Sequence, residues 1–400
     1  MANIGIAGNA GEKIRSDCLV RIEPGSSGGI IVELDSKVDK LYGNSIRELT
    51  SSVLEHFGLA HARVEINDSG ALEFVLAARM EAALKQVIQS DGIYLPDSMV
   101  QGRVRGLRDR FRFTRLYLPG NTPSMMLNAG IHEPCGVILD LEDAVAPAKK
   151  QEARFLVRNA LGSVDFYGAE RMVRINQLPD GFTDLEHIIP MDPDLILIPK
   201  VESPDEIHAV NEHMDNLSEG ACRGIFLMPI IESALGVEKA FEIAGSAENI
   251  VAMAIGLEDF AADLGVNRTA SGDESLYART RLVNACKAAR IQPIDSVYSD
   301  VGNEEGLRET ANISKGLGFE GMGCIHPRQI PVIHDVFKPS EQEIARAKGI
   351  VRAFEMAEKE GLGVVSLGTK MIDPPVVKRA LHTIHLAIAM NIIPENWKDE

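Results

Sequence analysis

Along this chain the spacing of apolar residues changes character several times. "CLVRIEP" and "GGIIVELDS" alternate apolar and polar positions as half-buried strands do, and the Gly-rich "PGSSGG" between them predicts a hairpin loop. In "NSIRELTSSVLEHFGL" the spacing turns helical, with Ile46, Leu49, Val53, Leu54 and Phe57 on one face, Asn44 as the expected cap and Gly58 as the stop. "HARVEIND" returns to period two, and "LEFVLAARMEAALKQVI" predicts a second helix. Residues 1–88 therefore read as a small α+β domain.

Residues 89–112 mix Gly, Pro and Ser with a basic run of Arg103, Arg105, Arg108, Arg110 and Arg112. They predict a linker lying on the acidic body of the protein, with phosphate binding as the sharper alternative. From 113 onward short apolar runs recur: "TRLYLPG", "GVILDLED", "RMVRIN", "LILIPK", "GIFLMPIIE", "NIVAMAIG", "QPIDSVYSD" and "GMGCIHP". Helical segments separate most of them, and two carry capping signals: "SPDEIHAV" with Ser203, Pro204 and Glu206, and "PSEQEI" with Ser340 and Glu343. Near-continuous apolar strands alternating with helices indicate a parallel sheet covered on both faces. Eight units in about 225 residues predict a (β/α)8 barrel over 113–338, with an open doubly wound sheet as the alternative. No GxGxxG follows an early strand, which weakens that alternative. Residues 339–400, including "VVKRALHTIHLAIAM", predict a C-terminal helical extension.

Composition narrows the partners. A net charge of −17 leaves no basic surplus for nucleic acid, so an anionic substrate must be held by local Arg, Lys, backbone N–H groups or a metal. No apolar run approaches the ~18 residues of a membrane span, and the start lacks a signal-peptide pattern, so a cytoplasmic protein is expected. Cys18, Cys135, Cys222, Cys286 and Cys324 are scattered without zinc spacing and read as small buried hydrophobes.

In such barrels the chemistry comes from the C-terminal ends of strands. The second run ends in Asp140, Glu142 and Asp143, the third in Arg174 and Asn176, the fourth in Lys200 with Glu202. The fifth ends in Glu232, the sixth in Gly256, Glu258 and Asp259, the eighth in His326. Glu232 and Asp259 lie about one βα unit apart, so neighbouring strands can present both to one divalent cation, with the acids at 140–143 behind metal-bound water. The alternative for these acids is helix capping and pairing with Arg or Lys. Arg174 offers a fork for a carboxylate, or else a salt bridge to Glu142 or Asp143. Lys200 as a Schiff-base amine is weaker than a metal mechanism, His326 reads as structural, and "LPG" at 118–120 offers backbone N–H groups for a phosphate.

"RLYLPGN", "VILDLEDAV" with "KKQEAR", "VRIN", "PKVES", "PIIESALGV", "GLEDFAADLG" and "GFEGMGCIHPRQI" together resemble the citrate lyase beta-subunit family, within the wider HpcH/HpaI aldolase group, over roughly 113–390. The resemblance implies a Mg²⁺-dependent (or Mn²⁺-dependent) carbon–carbon lyase acting on a 3-hydroxy-acyl thioester of the citryl, citramalyl or malyl type. It implies Glu232 and Asp259 as metal ligands and Arg174 as the holder of the 2-oxo acid carboxylate, with Glu142 beside them in the catalytic set. Arg115, Pro119, Gly120 and Lys149 would lie near the nucleotide of the coenzyme A thioester. Asp373 in "TKMIDPP" would act as acid/base from a neighbouring subunit, and a trimer is the usual assembly.

The head is similar to the citrate lyase acyl carrier (gamma) subunit over roughly 7–88, on "AGEKIRSDCLVRIEP", "SKVDKLYGNSIRE" and "NDSGALEFVLAARMEAAL". That family carries a phosphoribosyl-dephospho-CoA arm on a serine of an "AGTLESSD"-like stretch. Here that serine falls on Arg15, and Ser16 matches the next position, so either Ser16 takes the arm or the head persists as a docking unit. An acyl-transferase (alpha) subunit is then an expected partner. The alternatives are an aldolase on free hydroxy-oxo-acids and a non-catalytic carrier or scaffold subunit.

Overall fold

The computed structural model describes residues 4–96, 105–218, 224–269, 271–359, 365–367 and 370–398. Met1–Ile330 form one compact unit and Pro331–Glu400 a second. The expected head, linker and barrel thus belong to one unit.

The head is a four-stranded sheet under two helices: β1 (Gly5–Gly8), β2 (Cys18–Pro24), β3 (Ile30–Ser36), α1 (Asp39–His56), β4 (Ala62–Asp68) and α2 (Glu73–Leu84). The sheet order is β1-β2-β4-β3, so the hairpin expected between β2 and β3 does not form. Instead β4 lies between them, antiparallel to β2 and parallel to β3. Its buried Val64 and Ile66 align with Ile22 and Val20 on one side and with Val32 and Leu34 on the other. The central place goes to the strand with the best-buried face, and α1 supplies the crossover that the parallel pair needs. α1 also starts earlier than expected: Val38 is its cap residue and Asn44 lies inside it. Its stop is as expected, because Gly58 takes φ +73° while the N–H groups of Gly58 and Leu59 return to the carbonyls of Glu55 and Leu54. Every residue of α2 from Phe74 to Leu84 is buried, since the helix lies between the head sheet and the barrel helix Lys150–Ser163.

Arg103 lies outside the described residues. The later arginines of the basic run reach the starts of barrel strands. Arg105 pairs with Asp192, Arg108 donates to the carbonyls of Glu248 and Ile250, and Arg110 to those of Cys135 and Gly168. Arg112 is buried between Glu170, at 2.7 Å, and Gln292, at 2.8 Å. These partners lie at the N-terminal ends of the strands, opposite the mouth. From Arg105 on, the run lies against the barrel floor, as a linker packed on the body of the protein would.

All eight apolar runs are parallel strands: β5 (Thr114–Pro119), β6 (Gly136–Asp140), β7 (Glu170–Arg174), β8 (Leu195–Ile198), β9 (Phe226–Ile231), β10 (Ala252–Ile255), β11 (Gln292–Ile294) and β12 (Met322–Cys324). Their order follows the chain, β12 pairs β5, and a bridge between Asp295 and Met322 closes the ring. Ile138, Met172, Leu195, Leu197, Met228 and Ile230 belong to its buried apolar core.

The second unit pairs the helices Glu341–Lys359 and Pro374–Ala389 and carries a small hairpin, β13 (Val365–Leu367) and β14 (Lys370–Ile372). Ile350, Val351, Ile372, Ile384 and Trp397 form its core. Among the described residues no helix is long and apolar enough to cross a membrane.

Candidate active site

Asp140 ends β6 and is 1% exposed, so its charge needs a partner close by. Arg174, opposite it at the end of β7, supplies one: Nε and Nη2 each lie 2.7 Å from one Asp140 oxygen. The backbone N–H groups of Glu142 and Ala144 donate to the same carboxylate. Arg174 also brings Nη1 to 2.8 Å from Glu142 and 3.6 Å from Asp143. Burial alone would lower the Arg174 pKa, but the bonds and charge of Asp140 outweigh it and raise it. The acids at 140–143 are therefore met first by an arginine, which is the pairing alternative weighed from the sequence.

Lys200 follows β8 with φ +52°, a costly backbone for a residue with a side chain. Its Nζ lies 3.0 Å from Glu142 and 4.0 Å from Asp259. Glu142 thus sits between two cations, yet burial still raises its pKa.

Glu232 is different. It follows β9, is 4% exposed, and its Oε2 has no hydrogen-bond partner. Burial, and then the charges of Glu142 and Asp259, push its pKa up to about 8. Gly256, at the end of β10, makes room for it: a Cβ there would stand 2.7 Å from Glu232 Cγ. Asp259 is half-buried in the first turn of the helix Leu257–Leu264. The orphaned buried oxygen of Glu232, with the charges of Glu142 and Asp259 acting on it, lacks a positive partner of the kind a hard divalent cation would supply, although among the described residues no three such groups are gathered closely enough to hold one by themselves.

Several expected site residues are committed elsewhere. Arg115 is 2% exposed inside the barrel, where Nη1 reaches Met228 Sδ at 3.5 Å and Nε has no partner. It lies in the first half of β5, the second residue of that strand. Gly120 is at the mouth, but its N–H donates to the Asp140 carbonyl at 2.8 Å and is not free for a phosphate. A Cβ on Gly120 would lie 2.5 Å from that carbonyl, so this glycine serves a close approach of neighbouring strands. Pro119 closes the same turn by accepting from Thr122 N–H. Lys149 donates to the Gly8 carbonyl and pairs with Glu152, binding the head. Asn176 is held by Asp184 and Lys150, and Glu258 by Arg268.

Ser16 lies in the loop between β1 and β2, half-buried with φ +56°, its N–H bonded to the Ser69 carbonyl; Arg15 is exposed. Asp373, in the second unit, caps the helix Pro374–Ala389 by accepting from Val376 N–H at 3.2 Å.

A model of the HpcH/HpaI aldolase/citrate lyase family matches residues 114–327, and an acyl-carrier model described as malonate decarboxylase delta subunit matches residues 7–87. The citrate lyase subunit beta of Leuconostoc mesenteroides subsp. cremoris is 37% identical over 290 residues, covering 71% of this chain and 96% of its own length. The mitochondrial citramalyl-CoA lyase of Rattus norvegicus is 32% identical over 289 residues, 69% of this chain and 86% of its own. Among solved structures, protein CitE from Mycobacterium tuberculosis, in complex with magnesium, acetoacetate and coenzyme A, superposes with a TM-score of 0.59. It has 30% sequence identity and covers 70% of this chain and 99% of its own.

Proposed function

Since this chain belongs to the HpcH/HpaI aldolase/citrate lyase family, we propose that it is a Mg²⁺-dependent carbon–carbon lyase, splitting a 3-hydroxy-acyl thioester into an acetyl thioester and a 2-oxo acid. The observation that carries this reading is Glu232, buried, unpartnered and displaced toward the protonated form beside two further carboxylates.

In this reading Glu232 and Asp259 hold the metal, which when bound supplies positive charge to the substrate oxygen that becomes the carbonyl of the 2-oxo acid. Asp140 takes the Nε and Nη2 edge of Arg174, so the Nη1 side, now at Glu142, is the part of the fork that turns to a substrate carboxylate. Lys200 and Arg174 pair with Glu142 and partly offset the burial that raises its pKa. Asp373 of a neighbouring copy moves the proton at the acetyl carbon, as the family resemblance implies; its capping bond to Val376 fixes one carboxylate oxygen. The protein would then work as a homo-oligomer, a trimer, in the cytoplasm. The acyl handle is free coenzyme A or, with an acyl-transferase (alpha) subunit as partner, an arm on Ser16.

The test is 2-oxo acid release from citramalyl-, malyl- and citryl-CoA by the pure chain, with Mg²⁺ and with EDTA. Metal-dependent cleavage of one of them is expected. E232Q should lower it on the order of 100-fold or more while the circular dichroism spectrum stays that of the wild type. Unchanged turnover in E232Q would sink the site assignment.

A further inference from the structure

Helix α2 of the head presents Arg79 to the barrel, fully buried. Its Nε and Nη2 lie 3.0 Å from the two oxygens of Asp17, and Nη1 lies 3.5 Å from Glu152, which opens the barrel helix after β6. Glu152 accepts in turn from Gly8 N–H at 2.8 Å, and Lys149 donates to the Gly8 carbonyl at 3.0 Å. Gly8 has φ +94°, and a Cβ there would stand 1.9 Å from the Cys18 carbonyl of the neighbouring head strand, so only glycine fits at this point of contact.

One bond of this cluster has another destination. Arg79 Nη2 also donates to the Asn121 carbonyl at 3.1 Å. Asn121 belongs to the turn that leaves β5 at the barrel mouth, closed by the Thr122 N–H on the Pro119 carbonyl. In the same turn Gly120 N–H holds the Asp140 carbonyl, and Asp140 clamps Arg174. A head residue is thus joined to the arginine of the candidate site through three hydrogen-bonded contacts and the short stretch of chain between them. Pinning a surface turn of the barrel from a buried cation in another domain is unnecessary for a carrier that merely docks and leaves.

We propose that the head is a working part of the barrel mouth and that Arg79 is a positioning residue, setting the 119–122 turn for the nucleotide end of the coenzyme A thioester. The inference rests on the lyase reading, with that turn near the nucleotide as the family resemblance implies. A fork-shaped guanidinium reaches Asp17, Glu152 and Asn121 at once, whereas a lysine at this place is a single point charge that cannot.

The test uses the full chain with R79M and R79K, measured two ways. In steady state, R79M should raise KM for the thioester about 10-fold, with kcat within about threefold and the Mg²⁺ dependence unchanged. R79K should fall between R79M and the wild type. In hydrogen–deuterium exchange the amides of the 120–127 segment should exchange faster in both variants, while those of β6 to β9 stay as in the wild type. A fall in kcat and kcat/KM together, with exchange in the turn unchanged, overturns the proposal and leaves Arg79 a structural ion pair. Should R79M fail to fold, R79K decides: wild-type KM and wild-type exchange in the turn overturn it. If the wild type cleaves none of the free thioesters, the free-coenzyme A form of the lyase reading falls, and exchange in the turn alone decides whether Arg79 positions it.

Discussion

Glu232 and Asp140 are both acids at strand ends and both almost fully buried, yet the fold treats them in opposite ways. Asp140 receives a bidentate arginine and two backbone N–H groups, whereas Oε2 of Glu232 has no hydrogen-bond partner and burial pushes its pKa up to about 8. Because its folded pKa lies above the ordinary glutamate value of about 4.3, its contribution to stability is full below that value and is lost as pH rises toward 8, at about 1.4 kcal/mol per unit of displacement. In EDTA, therefore, the wild type should lose melting temperature relative to E232Q between pH 5.5 and 8.5, and Mg²⁺ should restore it in the wild type alone. Parallel melting curves for the two proteins across this range would contradict the unpartnered, cation-seeking state of Glu232. The residue types of the mouth were legible in the sequence, since strand ends are found from apolar runs. Which acid is paired and which is orphaned was not, because Asp140 and Arg174 meet only through strand register. That Arg115 would be buried inside the barrel was hidden for the same reason: one place in a strand faces the interior and the next does not, and "RLYLPG" does not say which.

Helix α2 is the element on which the architecture turns. Its sequence is rich in helix formers, and its apolar spacing was legible; that it would be buried on every side was not, because the partners of Arg79 and Glu81 lie on distant segments of the chain. Glu81 instead meets Arg158 of the barrel helix at 2.6 Å, with Lys85 at 3.4 Å, and Arg158 also donates to the Tyr94 carbonyl. Breaking one side of such a buried pair leaves the other charged in a dry place. R158M is expected to destabilise the chain by about 3 kcal/mol in urea titration, and the double variant E81M/R158M by clearly less. Additive costs of E81M and R158M would show that the two do not depend on each other. The missed order of β3 and β4 belongs to this scale too: the loop between β2 and β3 looked like a hairpin, but only the assembled sheet ranks its strands by burial.

At the scale of the molecule, head and barrel belong to one compact unit, and their polar contacts cross between segments far apart in the chain: Gly8 with Glu152, Asn159 with the Phe74 carbonyl, Arg79 with Asn121. Calorimetry of the full chain should therefore show head and barrel melting in a single transition, since neither can open without stranding buried charge on the other. A separate low-temperature transition assigned to the head by its exchange behaviour would refute this coupling. The eight barrel strands, the helices between them, the acidic mouth and the family were determined by the sequence by itself, because apolar period, capping residues and short motifs are local properties of the chain. Only the tertiary structure decided that Arg105 to Arg112 lie at the barrel floor, that Arg174 is already clamped by Asp140, that Glu232 Oε2 stands without a hydrogen-bond partner, and that Arg79 of the head reaches the Asn121 carbonyl. Those outcomes depend on which distant residues share a dry space, and the strength of a charge–charge contact is set by that burial and distance, which no local pattern encodes.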